Sequence, residues 1–549
     1  MKKLIIALCS LLLTSLAHAQ WQNTTYTLKS GWNAIYLHGD ATHATPAQLF
    51  AAYPAVTEVW RWNPNPNEVQ FTSTPMIPSA GTSEWSVWKS DGSASSLGQV
   101  IGQTAYLVKC SAATSVIIAQ KVLPPSATWV RNGANLMGFP SKLTSSLYPT
   151  MGSYFATFPA AIASNVKIYK YNGGDLGPGN PVQVFSTSTE RVDRNQAYWF
   201  DSEVVGNFYA PVEISISNGS GLDFGRTGST ITVRLLNRSS TVSTVTIAPV
   251  ASANAPTGQE DITAAVPITR RVFNAGTASW TETAIDAEFT EVVGANAAVE
   301  LSFGIDRAAM TGSSNAFFAS LLRLTDSANL YDILLPVTAR KASLAGLWIG
   351  DAVVGGVQSK TAGYTGTATA QTYSLRYIVH VDDAGNARVL SQVYLGQLAG
   401  ATPQPGICTA ESALSVADKA SARRIVAAHL PLDRVLDGGT MALGGSLSCT
   451  ITTPFDDPTS PFVHQYHPDH DNKSGTTPLE AGQESYDLSR AVTFAISAAA
   501  PAGVSATGYG ASVIAGNYTE VLTGLRKDSV TVTGTFSLRR VSEIGTLTR

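Results

Sequence analysis

Four sequence elements occur twice, in the same order, in the N-terminal part of the chain. This duplication constrains the fold more than any other feature. The first copy opens with Leu28-Lys29-Ser30-Gly31-Trp32-Asn33-Ala34-Ile35-Tyr36-Leu37 and the second with Val130-Arg131-Asn132-Gly133-Ala134-Asn135-Leu136-Met137-Gly138-Phe139, so that Gly-x-Asn precedes an apolar strand in both. A short helical stretch follows each opening. In the first copy it runs from Pro46 to Pro54, with Thr45 as N-cap and Pro46 at the first helical position; in the second it runs from about Ser153 to Pro159. An aromatic strand comes next, Val59-Trp60-Arg61-Trp62-Asn63 against Ile168-Tyr169-Lys170-Tyr171-Asn172. Each copy closes alike, Ala105-Tyr106-Leu107-Val108 against Ala197-Tyr198-Trp199-Phe200. Leu123-Pro124-Pro125-Ser126 is a stiff connector between the copies.

Residues two apart on a strand share a face, so Trp60 pairs with Trp62 and Tyr169 with Tyr171. Two readings of these rows stand. Exposed, they would form a platform on which sugar rings stack; buried, they would be the core of a small domain, where aromatics dominate the energetics.

Beyond about Val205 the pattern changes to short strands. Val212, Ile214 and Ile216 alternate with polar residues, as do Ile231, Val233 and Leu235, and more loosely Val242, Val245 and Ile247. Val299 to Phe303 continues the pattern. Ser320–Thr325 and Tyr331–Val337 form a hairpin across the turn-forming Asp326-Ser327-Ala328-Asn329. This spacing predicts an immunoglobulin-like β-sandwich. A last region starts near Leu344. Ser374–Val381 and Ala387–Val393 flank the turn Asp382-Asp383-Ala384-Gly385-Asn386, Ala420 to Ala428 is expected as a short helix, and Asn517–Leu522 pairs with Ser529–Arg540.

The expected fold class is therefore mainly β: tandem small β-rich (α+β) repeats, an immunoglobulin-like β-sandwich, and a C-terminal β-sandwich or barrel-like domain. The expected boundaries are 1–19 for a signal peptide, 20–122 and 123–204 for the two repeats, 205–341 for the sandwich and 342–549 for the C-terminal domain. The leader reading rests on Lys2-Lys3, the apolar run Leu4 to Leu16, and the small-x-small Ala17-His18-Ala19, which places cleavage before Gln20. The run is shorter than the roughly 20 residues that span a bilayer as a helix. No later stretch reads as a transmembrane anchor. The expected location is periplasmic, cell-surface or extracellular.

Composition narrows the partners. The net charge is −3 and charged residues make up 14% of the chain, without basic clusters. Nucleic acid, which requires a basic face, is excluded as a partner, and polysaccharide or other surface proteins remain. Beyond the leader stand Cys110, Cys408 and Cys449. Cys408 and Cys449 could pair in an oxidising compartment, which would stabilise the fold by up to about 4 kcal/mol. Cys110 is read either as a small buried hydrophobe at a strand end or as an intermolecular bridge.

One segment could carry chemistry. Asp456 to Asn472 holds His464, His467, His470, Asp469 and Asp471 among three prolines that exclude a regular helix. Imidazole and carboxylate ligate divalent metals such as zinc, copper, iron or manganese. The same residues also serve as turn caps and hydrogen-bonding groups in a structural loop. An EF-hand fits poorly, because Lys473 falls where an oxygen ligand belongs. No serine-nucleophile elbow, His-Glu-x-x-His or phosphate-binding loop is present, and no catalytic residue is assigned.

The Gly31-Trp32-Asn33 opening and the Ala105-Tyr106 and Ala197-Tyr198-Trp199 closings resemble modules of secreted multidomain proteins of environmental Gram-negative bacteria. Pro461-Phe462-Val463-His464-Gln465-Tyr466-His467-Pro468-Asp469-His470-Asp471-Asn472, with Gly346-Leu347-Trp348 before it and Thr535 to Arg540 after it, is similar to a C-terminal module of the same proteins. The resemblance implies secretion and a β-rich build, and it brings no established activity. Taken together, the sequence favours a secreted or cell-surface, non-enzymatic structural or adhesion-type protein. The alternatives are an extracellular carbohydrate-binding protein using the repeat aromatics, or a metal-dependent hydrolase or oxidase at His464, His467 and His470.

Overall fold

The structure, a computed structural model, describes residues 20–63, 78–79, 81–82, 84–130, 133–142, 145–177, 179–359, 373–398, 423–426, 430–436, 439–454, 473–474, 477–478, 487–523 and 529–547. It is mainly β, with 50% strand and 4% helix. The chain divides into two compact units, Met1–Ile305 with Ala316–Arg340, and Asp306–Asn315 with Lys341–Arg549.

In the first unit the duplication appears as repeated topology. Strand β1 (Trp21–Leu28) is followed by β2 (Gly31–Leu37), helix α1 (Pro46–Phe50), β3 (Val56–Trp62), β4 (Trp85–Lys89), β5 (Thr104–Cys110) and β6 (Thr114–Lys121). The second copy supplies β7 (Gly133–Met137), α2 (Met151–Tyr154), β8 (Lys167–Lys170), β9 (Val182–Gln183) and β10 (Tyr198–Ser202). One sheet runs β2-β5-β3-β4 and the other β7-β10-β8-β9, so each matched element holds the same place in its sheet. The sequence pattern did not bring out β1 and β6, which pair with one another outside both sheets.

Helix α1 starts where expected: the Thr45 hydroxyl accepts from the Gln48 amide and the Gln48 side chain returns to the Thr45 backbone. Helix α2 begins two residues earlier than expected. Its N-cap is Thr150, whose hydroxyl accepts from the Ser153 amide, and Pro159 opens a separate 3₁₀ turn.

A β-sandwich completes the unit. Its strands are β11 (Val212–Ile216), β12 (Leu222–Asp223), β13 (Thr230–Asn237), β14 (Ser243–Ala251), β15 (Ile268–Asn274), β16 (Ser279–Ala284), β17 (Phe289–Val293), β18 (Ala298–Ile305), β19 (Phe317–Asp326) and β20 (Asp332–Arg340). They form two five-stranded sheets, β11-β13-β18-β15-β16 and β12-β20-β19-β14-β17. Ile231, Val233 and Leu235 are buried on alternate positions of β13, as period-two patterning requires. The predicted β19–β20 hairpin is present. Its turn is held by Asp326, whose Oδ1 accepts from the Leu330 and Tyr331 amides at 2.8 and 3.0 Å. Val242, expected within the apolar row, stands exposed just before β14.

In the first unit the two repeats and the sandwich are welded together. Gly31 has a φ of +83°, and a Cβ there would lie 2.2 Å from the Gly174 carbonyl oxygen, so only glycine lets the copies meet. Across this contact the Trp32 amide donates to Gly174 O at 2.8 Å and the Gly174 amide to Ser30 O at 2.7 Å. The Asp332 amide of β20 donates to Pro140 O at 2.8 Å, and the Tyr154 hydroxyl donates to Tyr209 O at 2.6 Å.

The second unit is a nearly closed, barrel-like antiparallel sheet. Its strands are β21 (Gly346–Ser359), β22 (Tyr373–Val381), β23 (Ala387–Leu398), β24 (Arg423–Val426), β25 (Leu430–Leu436), β26 (Ser446–Thr453), β29 (Leu488–Ile496), β30 (Val513–Thr523) and β31 (Val530–Ser542), while the two-residue β27 (Lys473–Ser474) and β28 (Thr477–Pro478) pair only with each other. The order is β24-β23-β22-β21-β31-β30-β29-β26, with β25 also on β23. Arg423–Val426, inside the segment expected to be helical, pairs with β23 instead. Its residues Arg-Arg-Ile-Val carry no helical period, and the strand edge supplies their backbone partners. The interior is packed with Trp348, Val354, Tyr377, Phe494, Tyr518 and Phe536.

Candidate functional site

The repeat aromatics are core, not a platform. Trp60, Trp62 and Tyr171 are buried, at 4, 6 and 3% exposure, and Tyr169 packs against the same cluster. The physical reason lies in the duplication. A sheet of four short strands must cover one face, and each copy covers its own with the other. Trp62 meets Trp199 at 5.3 Å between ring centroids and donates its indole N–H to Ala134 O at 2.9 Å; Trp199 donates to the Tyr171 hydroxyl at 3.1 Å. Trp60, Trp62 and Tyr171 therefore pack in the core with Tyr169 half-buried against them, and the four do not form the exposed row that a ligand platform requires.

His464, His467, His470, Asp469 and Asp471 lie outside the described residues, as does Cys408. Among the described residues no group of three or more His, Cys, Asp or Glu side chains is placed to hold a metal. Cys449 is buried on β26 in the barrel core. Cys110 is the last residue of β5 and is buried, which pushes its thiol pKa up to about 11.

Two buried polar centres escaped the sequence reading, because their members are far apart in the chain. In the first unit His38, at the end of β2, holds its Nε2 2.7 Å from Arg194 O. Burial, and then the Arg194 charge, push the imidazole pKa down to about 3. The Arg194 guanidinium, also buried, donates to Ser141 O at 2.7 Å and to Asp332 O. Asp332 is fully buried and takes a bidentate pair from Arg323, at 2.8 and 2.5 Å. A cavity of about 40 Å³, lined by Tyr36, His38, Gly138, Pro140 and Arg194, adjoins this centre.

In the second unit Arg490 on β29 and Glu520 on β30 form a buried ion pair inside the barrel. Tyr518 donates to Glu520 Oε2 at 2.6 Å, and the hydroxyls of Tyr377 and Tyr518 lie 2.8 Å apart. Burial pushes both phenol pKa values up. Both centres are locked into the packing around them.

Among the described residues, a ligand-sized cleft of about 880 Å³ lies in the first unit. The segment before α2 contributes Ser146, Leu147 and Tyr148, and α2 with its cap contributes Thr150 and Ser153. The β13–β14 loop contributes Arg238 to Thr241, and the β19–β20 turn contributes Ala328 to Leu330. Asn237 fixes the β13–β14 loop by donating to Thr241 O at 2.7 Å and Gly294 O at 3.1 Å. Asn296 and Asn329, both on the wall, adopt φ values of +50° and +59°, which asparagine tolerates best after glycine. Arg191 bonds to Tyr148 O, and Arg238 pairs with Glu213. Burial, and then Asp193, push the Tyr148 phenol pKa up to about 12, so it stays protonated as a donor. The wall mixes apolar side chains such as Leu147, Pro149, Pro211 and Leu330 with hydroxyls, amides and two guanidiniums, and none of its lining side chains is a carboxylate, imidazole or thiol. Its polar groups can bind a polar molecule, and its one phenol, Tyr148, is held protonated beside Asp193.

No protein-family model matches the chain. No curated protein matches it. Among solved structures, a DUF4466 family protein from Parabacteroides merdae is 8% identical, covering 60% of this chain and 99% of that one at a TM-score of 0.15. A Bacteroides ovatus protein of unknown function is 9% identical, covering 60% and 96% at 0.12. Escherichia coli alpha-2-macroglobulin activated by porcine elastase is 10% identical, covering 95% and 50% at 0.14. At such scores these likenesses carry no argument about fold or function. No helix among the described residues is long and apolar enough to cross a membrane.

Proposed function

We propose that this chain is a secreted or cell-surface, non-enzymatic structural or adhesion-type protein that holds a polar ligand rather than transforming it. The observation that carries the reading is the chemistry of the cleft wall, which offers hydroxyl and amide donors and two guanidiniums, one of them paired with Glu213, and has no carboxylate, imidazole or thiol among its lining side chains. The welding of repeats and sandwich supports it, since a load-carrying surface module benefits from elements that cannot pivot. The leader-like Lys2 to Ala19 supports export, with a mature chain starting at Gln20 and located in the periplasm, at the surface or outside the cell. Polysaccharide and other surface proteins are the partner classes. Carbohydrate binding is favoured among them by an exposed aromatic pair on the sandwich, Phe273 with Trp280.

The test combines location and retention. Fractionated cells are expected to hold the protein outside the inner membrane with Gln20 at its N-terminus. Immobilised protein is expected to retain cells or their extracted surface polymers, and Arg191→Ala with Arg238→Ala is expected to weaken that retention. A full-length cytoplasmic protein, or turnover of a polymer by the purified chain, would overturn the reading.

A further inference from the structure

The sandwich sheet β11-β13-β18-β15-β16 ends at β16, and its outer face can be followed strand by strand through the register. Arg271 lies opposite Glu282 on one side and Ser302 on the other, Ser302 lies opposite Thr232, and Arg234 opposite Glu300. At the β15–β16 end of this face Phe273 lies opposite Trp280. The two rings meet at 5.3 Å between centroids with planes 57° apart, and they remain 50 and 51% exposed.

The surroundings of the pair are built rather than incidental. The Arg271 guanidinium sits 4.6 Å over the Trp280 ring and donates through Nε to Glu282 Oε1 at 2.9 Å, with both charged side chains only 14% exposed. Gly304 makes room for this arrangement, since a Cβ there would lie 2.6 Å from Thr269 Oγ1 and 3.0 Å from Arg271 Cδ. An indole held on one side by a guanidinium, with half its surface in water and a carboxylate beside it, is a fixed feature of the face.

From this geometry we infer that Phe273, Trp280, Arg271 and Glu282 form a binding site for a pyranose ring of a neutral polysaccharide. The C–H face of such a ring covers the exposed aromatic surface, and its hydroxyls can bond to the polar groups at the edge of the pair. The size of the patch decides against a protein partner. An aromatic side chain offers roughly 150–250 Å² in all, so two half-exposed rings present on the order of 200 Å². A stable protein interface needs about 800 Å² from each partner, whereas one or two sugar rings need no more than this face provides. Charge decides for a neutral polymer, because Arg234 and Arg271 are balanced by Glu300 and Glu282 on the same face. The inference deepens the proposed adhesive reading by naming a ligand class and a second contact point, distinct from the cleft.

Affinity electrophoresis of the purified mature chain through gels containing neutral polysaccharides (β-1,4-glucan, mixed-linkage β-glucan, xylan, mannan and starch) tests it. At least one is expected to retard the wild-type chain, with quenching or a blue shift of tryptophan emission on addition of the matching oligosaccharide. Trp280→Ala is expected to weaken binding by about tenfold or more, as loss of a central aromatic anchor does, while Trp280→Phe restores part of it. Glu282→Gln weakens binding without altering the melting temperature by more than the Trp280 variants do. Equal retardation of wild type and Trp280→Ala overturns the inference, and so does retardation by none of the polymers. If wild type self-associates on gel filtration and Trp280→Ala does not, the face serves a second copy of the chain and the saccharide assignment falls. If wild type binds none of the polymers yet wild type and Trp280→Ala retain cells equally, this inference falls while the adhesive reading stays in place.

Discussion

Acid should loosen the first unit through one imidazole. The folded pKa of His38, about 3, lies below the ordinary 6.5 of an unfolded histidine because the packing around the half-buried ring desolvates it and because it faces Arg194. Below pH 6.5 the unfolded chain therefore binds a proton that the folded one refuses, and stability rises with pH across that window. The contribution is complete above about pH 6.5 and is withdrawn as pH falls toward about 3. The full gap corresponds to on the order of 5 kcal/mol at about 1.4 kcal/mol per tenfold change. At pH 5 the loss is about 2 kcal/mol, because the unfolded ring is then mostly protonated and the folded one almost entirely neutral. Other groups also titrate in this range, so the measurement is a difference. Wild type and His38→Gln, which keeps an N–H donor but cannot titrate, are melted by calorimetry at pH 7.5, 6.0 and 5.0. The variant starts less stable, and the gap is expected to narrow by about 2 kcal/mol between pH 7.5 and 5.0, a shift of a few degrees. Imidazole carbon shifts of selectively labelled protein give a second readout, with the His38 ring neutral at pH 5. Parallel pH slopes, or a folded His38 ring that titrates near 6.5, would refute the reasoning.

Three further substitutions probe the packing. Trp62→Ala removes an indole from the core that both repeats share and the bond to Ala134 O, so a loss of about 3–5 kcal/mol is expected in thermal melts of the full chain. Gly31→Ala places a methyl group against the Gly174 carbonyl at an unfavourable φ; its melting temperature should fall, and Gly31→Ser should rescue nothing. Arg490→Met leaves Glu520 charged and buried in the barrel and should cost about 3–5 kcal/mol, whereas Arg490→Met combined with Glu520→Leu should recover much of it. A double variant no more stable than the single one would mean that Tyr518, which also bonds Glu520, carries the larger share.

Local signals in the sequence predicted most of the strands. Alternation along Thr230–Asn237, the Asp326–Asn329 and Asp382–Asn386 turns, and the final antiparallel pair all depend on neighbours within a few residues, and each appears in the fold. The β15–β16 hairpin also carries a local signal. Asn274 Oδ1 accepts from the Gly276 and Thr277 amides at 2.9 and 3.3 Å, a turn that Asn-Ala-Gly-Thr encodes between two short polar-aromatic strands. What no local pattern could reveal is which aromatic row faces water. Trp60 and Trp62 on one strand and Phe273 on another look alike in the sequence. The first two are buried because a second copy of their own module lies against them. The polar centres were hidden for a similar reason: His38 and Arg194 are 156 positions apart, and Arg490 and Glu520 meet only across neighbouring strands.

Duplication therefore changes how aromatic content should be read as function in a β-rich chain. A single repeat with Trp32, Trp60, Trp62 and Trp85 on one face would expose a large apolar surface, of the kind soluble monomers rarely keep unless it binds something. A second repeat with Tyr171, Trp199 and Leu136 on the matching face removes that surface, and the aromatic-rich modules become the rigid part of the unit. On the proposed reading, ligand contact falls to places where aromatic or polar groups remain in water: the cleft beside α2 and the Phe273–Trp280 face of the sandwich. If the copies were separated by Gly31→Ala, the repeat aromatics would become exposed and sticky, and the variant should bind hydrophobic dyes before it loses its strand signal in circular dichroism. A variant that unfolds in a single step, without such an intermediate, would show that the repeats have no stability apart from one another and that the weld, rather than each module, is the unit of folding.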